Sequence, residues 1–483
     1  MSSKEQNAFV FTALVAFLLH FIVAHVSPTL VWPDEVFQTL EQGHRWMWGY
    51  GVVPWEFRDG VRSWVLPGLL GLVMRATAGL GPGSYGYLLG VRLFLSLCSI
   101  VPVVIAMLWA RRAKLHHFWI AGLATAVWFE LVFFSSKALT EVMAAYTLAP
   151  ALYFSVAARE DPPPSRAAIW AGLFWGLTVS FRMHLAPAAA VAIAFICEKE
   201  LRLWKQLVPT AAAVVLAYGL VDWITWSYPF QSFIENFRVN IFEGKAATFG
   251  VEPPWEYLRC FAIVWSWGGV VLLGLAAFSF KRWPVLGVTA LFIFVVHSAI
   301  AHKEYRFMAP LFVVLVIAAS LELARLVEAR RELGLAACLL FVLASADGAR
   351  RYELKDLTPR FKSTNLPPYP MWTIRNREIR LVAALSTREN LCGFAAIAVG
   401  WGWTGGYTHL HRDVPFYEVR TLEELEQYKN HFNYAISDVD NAEKLAPMVI
   451  EQCWDSTCLY RRDGPCEPPG DYSFNAYLKN TGM

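Results

Sequence analysis

Residues 9–35 read FVFTALVAFLLHFIVAHVSPTLVWPDE. The run 9–26 carries no charge and is almost wholly apolar, long enough as a helix to cross a bilayer. Seven residues later come Pro33-Asp34-Glu35, two carboxylates just past the lipid boundary. Acids are expensive so close to hydrocarbon, which marks this pair as the first place to look for chemistry. The run follows Lys4 and is not succeeded by a small-residue cleavage site, so it reads as a signal anchor that stays in the protein.

Apolar windows of similar size recur along the chain. They fall near 8–26, 87–109, 117–134, 139–157, 167–181, 184–197, 207–224, 258–280, 283–301, 307–326 and 333–346, which predicts about eleven transmembrane helices. Basic residues gather in alternate connections: Arg111, Arg112 and Lys114; Lys199, Arg202 and Lys205; Lys281 and Arg282; Arg325, Arg330 and Arg331. By the positive-inside rule the N-terminus is cytoplasmic, and Asp34 and the C-terminus lie outside. Of 483 residues, 56% are hydrophobic, 15% aromatic and 17% charged, with a net charge of +3; the mean hydropathy is +0.39. That composition excludes an ordinary soluble domain, and the weak charge gives no reason to expect a nucleic-acid partner.

Three outward segments exceed simple connectors: 27–86, 222–257 and 347 to the end. Within the first, the apolar stretch 64–80 is interrupted by Pro67 and Arg75, so a helix lying in the interface is expected, with Trp46, Trp48, Trp55 and Trp64 as anchors. From 348 onward the charge content rises. Short strands are expected at 394–399 and 434–437 around a helix at 422–428, giving a small outer α/β domain. It carries Cys392, Cys453, Cys458 and Cys466, which permit three full pairings; the 453/458 spacing suits a hairpin staple better than a zinc site.

Several blocks carry a family signature. They are Pro33-Asp34-Glu35 with Phe37-Gln38, Trp55-Glu56-Phe57 followed by Arg62-Ser63, the set Asn236-Phe237, Asn240, Phe249-Gly250 and Pro254-Trp255, and His302-Lys303-Glu304-Tyr305-Arg306-Phe307. Together they resemble glycosyltransferase family 22, the membrane mannosyltransferases that build glycosylphosphatidylinositol anchors and N-glycan precursors. The run 401–411 is similar to a loop in the branch that adds the third anchor mannose. The resemblance implies an all-α polytopic membrane protein of GT-C architecture with a small α/β extracytoplasmic C-terminal domain: 1–347 the catalytic transmembrane part, 348–483 the outer domain. It also implies inverting transfer of mannose from a polyprenyl-phosphate-mannose donor to a hydroxyl of a glycan or glycolipid acceptor at the outer membrane face.

Such chemistry needs a base at the acceptor and cations at the departing phosphate. Asp34 is the expected base, with Glu35 positioning it or binding sugar; helix capping is the bland reading of both. Lys303 and Arg306, supported by Arg182 and Arg62, are the expected phosphate partners, against a reading as snorkelling side chains. Met183 stands where the family often has a proline after the arginine. Trp55, Glu56, Lys137, Glu141, His302, Glu304, Asn236 and Asn240 are expected to line the cleft, although capping explains Thr140 and Glu141 equally well. His409 and His411 read as a solvated loop rather than a metal site, and neither a metal nor another cofactor is expected. Membrane lipids are the remaining partners. The Ala- and Arg-rich style favours a bacterial inner membrane, the endoplasmic reticulum being the eukaryotic equivalent. Phosphate loops, hydrolase elbows and dinucleotide fingerprints are absent from the sequence. The competing readings are transfer of another lipid-linked sugar, such as aminoarabinose or glucose, and a glycolipid transporter or flippase, although no inverted repeat favours transport.

Overall fold

Helix Ala309–Ala329 is apolar on every side from 309 to 319, and in the computed structural model every residue from 309 to 324 is buried. A helix with no polar face belongs in the middle of a bundle. The structure describes residues 2–83, 86–357 and 369–482, which pack as two units. One comprises Met1–Val26 with Leu93–Pro370, the other Ser27–Arg92 with Met371–Met483. Packing therefore divides the chain differently from the boundary expected at 347: the first outer loop groups with the C-terminal sheet.

The first unit is helical. Its opening helix Ser3–Val26 buries Thr12, Ala16, His20 and Ala24, a stripe repeating every fourth residue. Val10, Phe11, Leu14, Leu18 and Ile22 are exposed on the remaining surface, as lipid-facing residues should be. His20 is satisfied within the bundle by Ser99 Oγ at 2.7 Å and the Ala126 carbonyl at 2.9 Å, which is what a polar group in lipid requires.

Among the described residues, five helices are long and apolar enough to cross a membrane, or six counting one bent pair. Apolar helices of 10–17 residues, such as Phe118–Val127, Ala167–Phe181 and Pro284–Ala299, account for other expected spans. The count of eleven is thus not reached by length alone. Two expected spans are broken. The run 258–280 becomes Glu256–Trp265 and Trp267–Phe280, bent by 108° at Ser266, whose φ is 48°. The run 117–134 becomes Phe118–Val127 and Phe129–Phe134 around extended Trp128. At this second break Ser345 repairs the backbone, its Oγ accepting from Phe129 N–H at 2.9 Å and donating to the Val127 carbonyl at 2.8 Å. Interrupted helices survive at membrane depth only with such substitutes.

The second unit starts with a helical run from Asp34 to Trp48, with a π-turn over Val36–Leu40 and an α-helix over Glu41–Trp48. The expected interfacial segment forms helix Val65–Ala76. It packs closely on Glu41–Trp48 because both surfaces carry glycine: a Cβ on Gly43 would lie 2.8 Å from the Pro67 carbonyl. Beyond 371 lies a five-stranded sheet of β1 (Phe394–Ile397), β2 (Phe416–Val419), β3 (Tyr434–Asp438), β4 (Val449–Trp454) and β5 (Thr457–Arg461). Its order is β2-β1-β3-β5-β4. Strand β1 runs parallel to β2 and β3, while β5 is antiparallel to β3 and β4. Helix Leu422–Tyr428 opens on a capping box between Thr421 and Glu424. Cys453 and Cys458, directly opposed in the β4–β5 hairpin, form one disulfide, and Cys392–Cys466 form the other.

Candidate functional site

The structure places the expected residues in two groups, one in each unit. In the second unit, Asp34 and Glu35 form the first turn of the Asp34–Trp48 run. Asp34 is half-exposed and Glu35 is buried. Glu56, on the short helix Trp55–Arg58, accepts a 2.9 Å hydrogen bond from Gln38 Nε2, one turn beyond Asp34. Burial pushes the Glu56 carboxyl pKa up, and the negative charge of Asp34 pushes it further; Arg62 and Gln38 oppose the shift. Asp34, Glu56 and Arg62 therefore share one electrostatic neighbourhood, and Trp55, which precedes Glu56 in the chain, is buried. A closely coupled carboxylate pair with an adjacent guanidinium is suited to moving a proton.

The helix bearing Asp34 is fixed by a residue the sequence did not single out. Glu41 is fully buried and accepts four hydrogen bonds. Oε1 takes them from the backbone N–H of Val52 at 2.9 Å and Tyr407 at 3.2 Å. Oε2 takes them from Thr408 N–H at 2.8 Å and Thr408 Oγ1 at 2.6 Å. Burial pushes the Glu41 pKa up and these donors pull it back. The 401–411 loop approaches so closely that a Cβ on Gly406, whose φ is 61°, would lie 2.8 Å from Glu41 Oε2. This loop is not solvated as expected. His409 is buried against the Gly405 carbonyl at 3.0 Å, and burial pushes its pKa down to about 4. His411 Nδ1 lies 3.1 Å from His44 Nε2, in a cluster with Trp48 and Tyr87.

In the first unit, Arg306 joins two carboxylates. Its Nη1 donates to Glu141 Oε1 at 2.8 Å, while Nε and Nη2 hold Glu304 at 2.8 and 2.9 Å. Arg182 Nη1 lies 3.7 Å from Glu141 Oε2, and both guanidinium groups lie over the Phe307 ring, at 4.5 and 5.1 Å from its centroid. His302 completes the network at 3.1 Å from Glu304, with its other ring nitrogen 3.0 Å from the Gly250 carbonyl. Burial raises the Glu304 pKa, but Arg306 and His302 more than offset it and hold the carboxyl well below its usual range. Burial lowers that of His302, and Glu304 more than restores it. Glu141 thus works as an ion-pair partner at the start of helix Thr140–Ala157, where no side-chain cap forms.

Lys303 points elsewhere, donating to the carbonyls of Ile300 and Glu252. Lys137 is buried with its ammonium 5.3 Å from the Phe133 ring centroid. Asn236 is on helix Gln231–Phe237 and Asn240 in the π-turn Arg238–Phe242. A second unforeseen residue is Glu130. It is buried and accepts from the indole nitrogens of Trp128 at 2.6 Å and Trp265 at 2.7 Å and from the Tyr305 hydroxyl. It thereby ties both broken spans to the residue that precedes Arg306.

The model of the Alg9-like mannosyltransferase family matches residues 10–353. The chain belongs to that family. Among similar curated members are GPI mannosyltransferase 3 of Yarrowia lipolytica, 26% identical over 62% of this chain and 59% of the relative, and GPI alpha-1,2-mannosyltransferase 3 of Danio rerio, 27% identical over 70% and 63%. The chain spans about three-fifths of the length of these family members. In fold it is similar to crystal structures of ArnT from Cupriavidus metallidurans. The undecaprenyl phosphate-bound form has a TM-score of 0.63 at 13% identity over 95% of this chain and 98% of that one; the apo form has 0.58 at 15% over the same shares. The GT-C fold is thereby established for this family member, with its apolar helices and small C-terminal sheet.

Proposed function

We propose that the chain is an inverting mannosyltransferase that uses polyprenyl-phosphate-mannose and glycosylates a hydroxyl of a glycan or glycolipid at the outer face of its membrane. The observation that carries this reading is the half-exposed Asp34 beside buried, proton-favouring Glu56, on a helix locked by Glu41. In the proposed step Asp34 takes the acceptor hydroxyl proton as that oxygen attacks the anomeric carbon. The bond from that carbon to the phosphate oxygen breaks, its electron pair leaves with the lipid phosphate, and the configuration inverts. Glu56, whose affinity for its proton is raised by burial and by Asp34, would hold the acceptor or the sugar by a hydrogen bond. Arg62, whose charge acts on Glu56 in the same unit as Asp34, supplies a cation for the phosphate. The eukaryotic sources of the family members named above support an endoplasmic reticulum membrane more than a bacterial one.

The test is transfer by the full chain in proteoliposomes, with a synthetic polyprenyl-phosphate-mannose and a glycolipid acceptor, the product read by mass spectrometry and NMR. A new mannosidic bond of inverted configuration is expected. Movement of lipid with no new bond would instead identify a transporter.

A further inference from the structure

A cleft of about 560 Å³ opens in the second unit, outside the Asp34 group. Its walls include Arg45, Tyr50, Tyr407, Asp413, Tyr472 and Asn475. We propose that it is a glycan subsite, holding sugars of the acceptor that do not react. This rests on the transferase reading for the identity of the glycan as acceptor.

The lining decides the ligand class. One guanidinium and one carboxylate leave the walls without a net charge, which disfavours a phosphate. Three phenols and the Asn475 amide among the rings disfavour a prenyl tail. A neutral sugar presents C–H faces to aromatic rings and hydroxyl edges to charged and amide groups, which is the pattern offered here. The volume lies within the range of small-ligand sites, of about 300–1,000 Å³.

The walls are also fixed before any ligand arrives. Asn475 accepts from Val53 N–H at 2.8 Å and donates to the Gly51 carbonyl at 3.1 Å, tying the tail to the first loop. The Tyr407 and Tyr472 hydroxyls donate to the carbonyls of Val414 and Phe416, each at 2.9 Å. Their oxygens retain lone pairs for sugar hydroxyls. Asp413 is exposed, and its charge acts on both Tyr50 and Tyr407, so three polar groups converge. Preorganised walls of this kind spare the ordering entropy that weakens binding. The cleft includes Gly49, the left-handed cap of the run that begins at Asp34. Fifteen residues of helix separate the two, about 20 Å at 1.5 Å per residue, so the site is remote from the reacting bond and addresses an extended acceptor.

The experiment measures binding of α-mannotriose to the full-length protein in detergent by saturation-transfer NMR, with transfer kinetics alongside. Two variants are compared with the parent. Ser473→Trp fills the cleft from an exposed wall position, and Asp413→Ala removes an exposed polar contact. Both are expected to weaken mannotriose binding at least tenfold and to raise the acceptor KM with kcat near that of the parent, because a remote contact acts equally on ground and transition states. Asp34→Asn should keep mannotriose binding. The inference is overturned if the parent does not bind mannotriose, or if Ser473→Trp and Asp413→Ala bind it as well as the parent does. Intact binding in a protein without transfer activity would sink the transferase reading and leave the subsite.

Discussion

Glu41→Gln tests how the Asp34 helix is held. Whichever way the new amide turns, one oxygen is replaced by NH2, so two of the four donors from Val52, Tyr407 and Thr408 lose their acceptor and face another N–H. Hydrogen bonds to a charged group contribute about 1.5–3 kcal/mol each, so two amount to about 3–6 kcal/mol. Removing a buried charge returns part of this, since an ion out of water carries a desolvation penalty of several kcal/mol. A net loss of about 2–4 kcal/mol is expected for the local clasp. Hydrogen exchange of the Tyr407 and Thr408 amides reads that opening directly, and the loss corresponds to roughly 30- to 800-fold faster exchange. Transfer should slow as well, because the loop packs on the helix carrying Asp34. Protection within threefold of the parent would refute the idea that Glu41 is the clasp.

Arg306→Gln leaves Glu141 buried without its closest cation and should destabilise the helical unit by about 3–5 kcal/mol; thermal unfolding in detergent measures this, and Glu141→Gln added to it should recover part of the loss. The His302 pKa is raised on folding by Glu304, so its ion pair contributes stability that is complete below the unfolded value of about 6.5 and fades as pH rises through the folded value. The Tm penalty of His302→Asn should accordingly be larger at pH 6 than at pH 8.5, and an equal penalty at both would contradict the pairing. Replacing Cys392 and Cys466 by Ser opens a loop with a sequence separation of 74, against 5 for Cys453 and Cys458. Chain entropy predicts losses of about 4 and about 2 kcal/mol respectively, which denaturant melts of the two double variants would rank.

Spans such as 8–26 and 307–326 were legible because hydropathy depends on length and composition, and those set insertion. Strands β1 and β3 and helix Leu422–Tyr428 showed as short periodic runs between turns. The breaks at Trp128 and Ser266 did not, because a hydropathy window sums side chains. It cannot register backbone repaired by Ser345 or indoles drawn to Glu130. Strand β4 was missed because five of its six residues are exposed, leaving no alternation to read. Glu41 resembled any surface acid on a helix, since its partners at Tyr407 and Thr408 lie 366 and 367 residues away. The resemblance brought out Arg306 and Glu304; the pairing of Arg306 with Glu141 needed the fold.

The most direct test of the proposed chemistry is single-turnover mannose transfer by Asp34→Asn, measured together with the affinity for the lipid donor. General-base catalysis contributes about 100- to 10,000-fold. The variant should therefore bind polyprenyl-phosphate-mannose as the parent does and transfer mannose slower by a factor in that range. A folded Asp34→Asn protein that transfers mannose at the parental rate would contradict the assignment of Asp34 as the base.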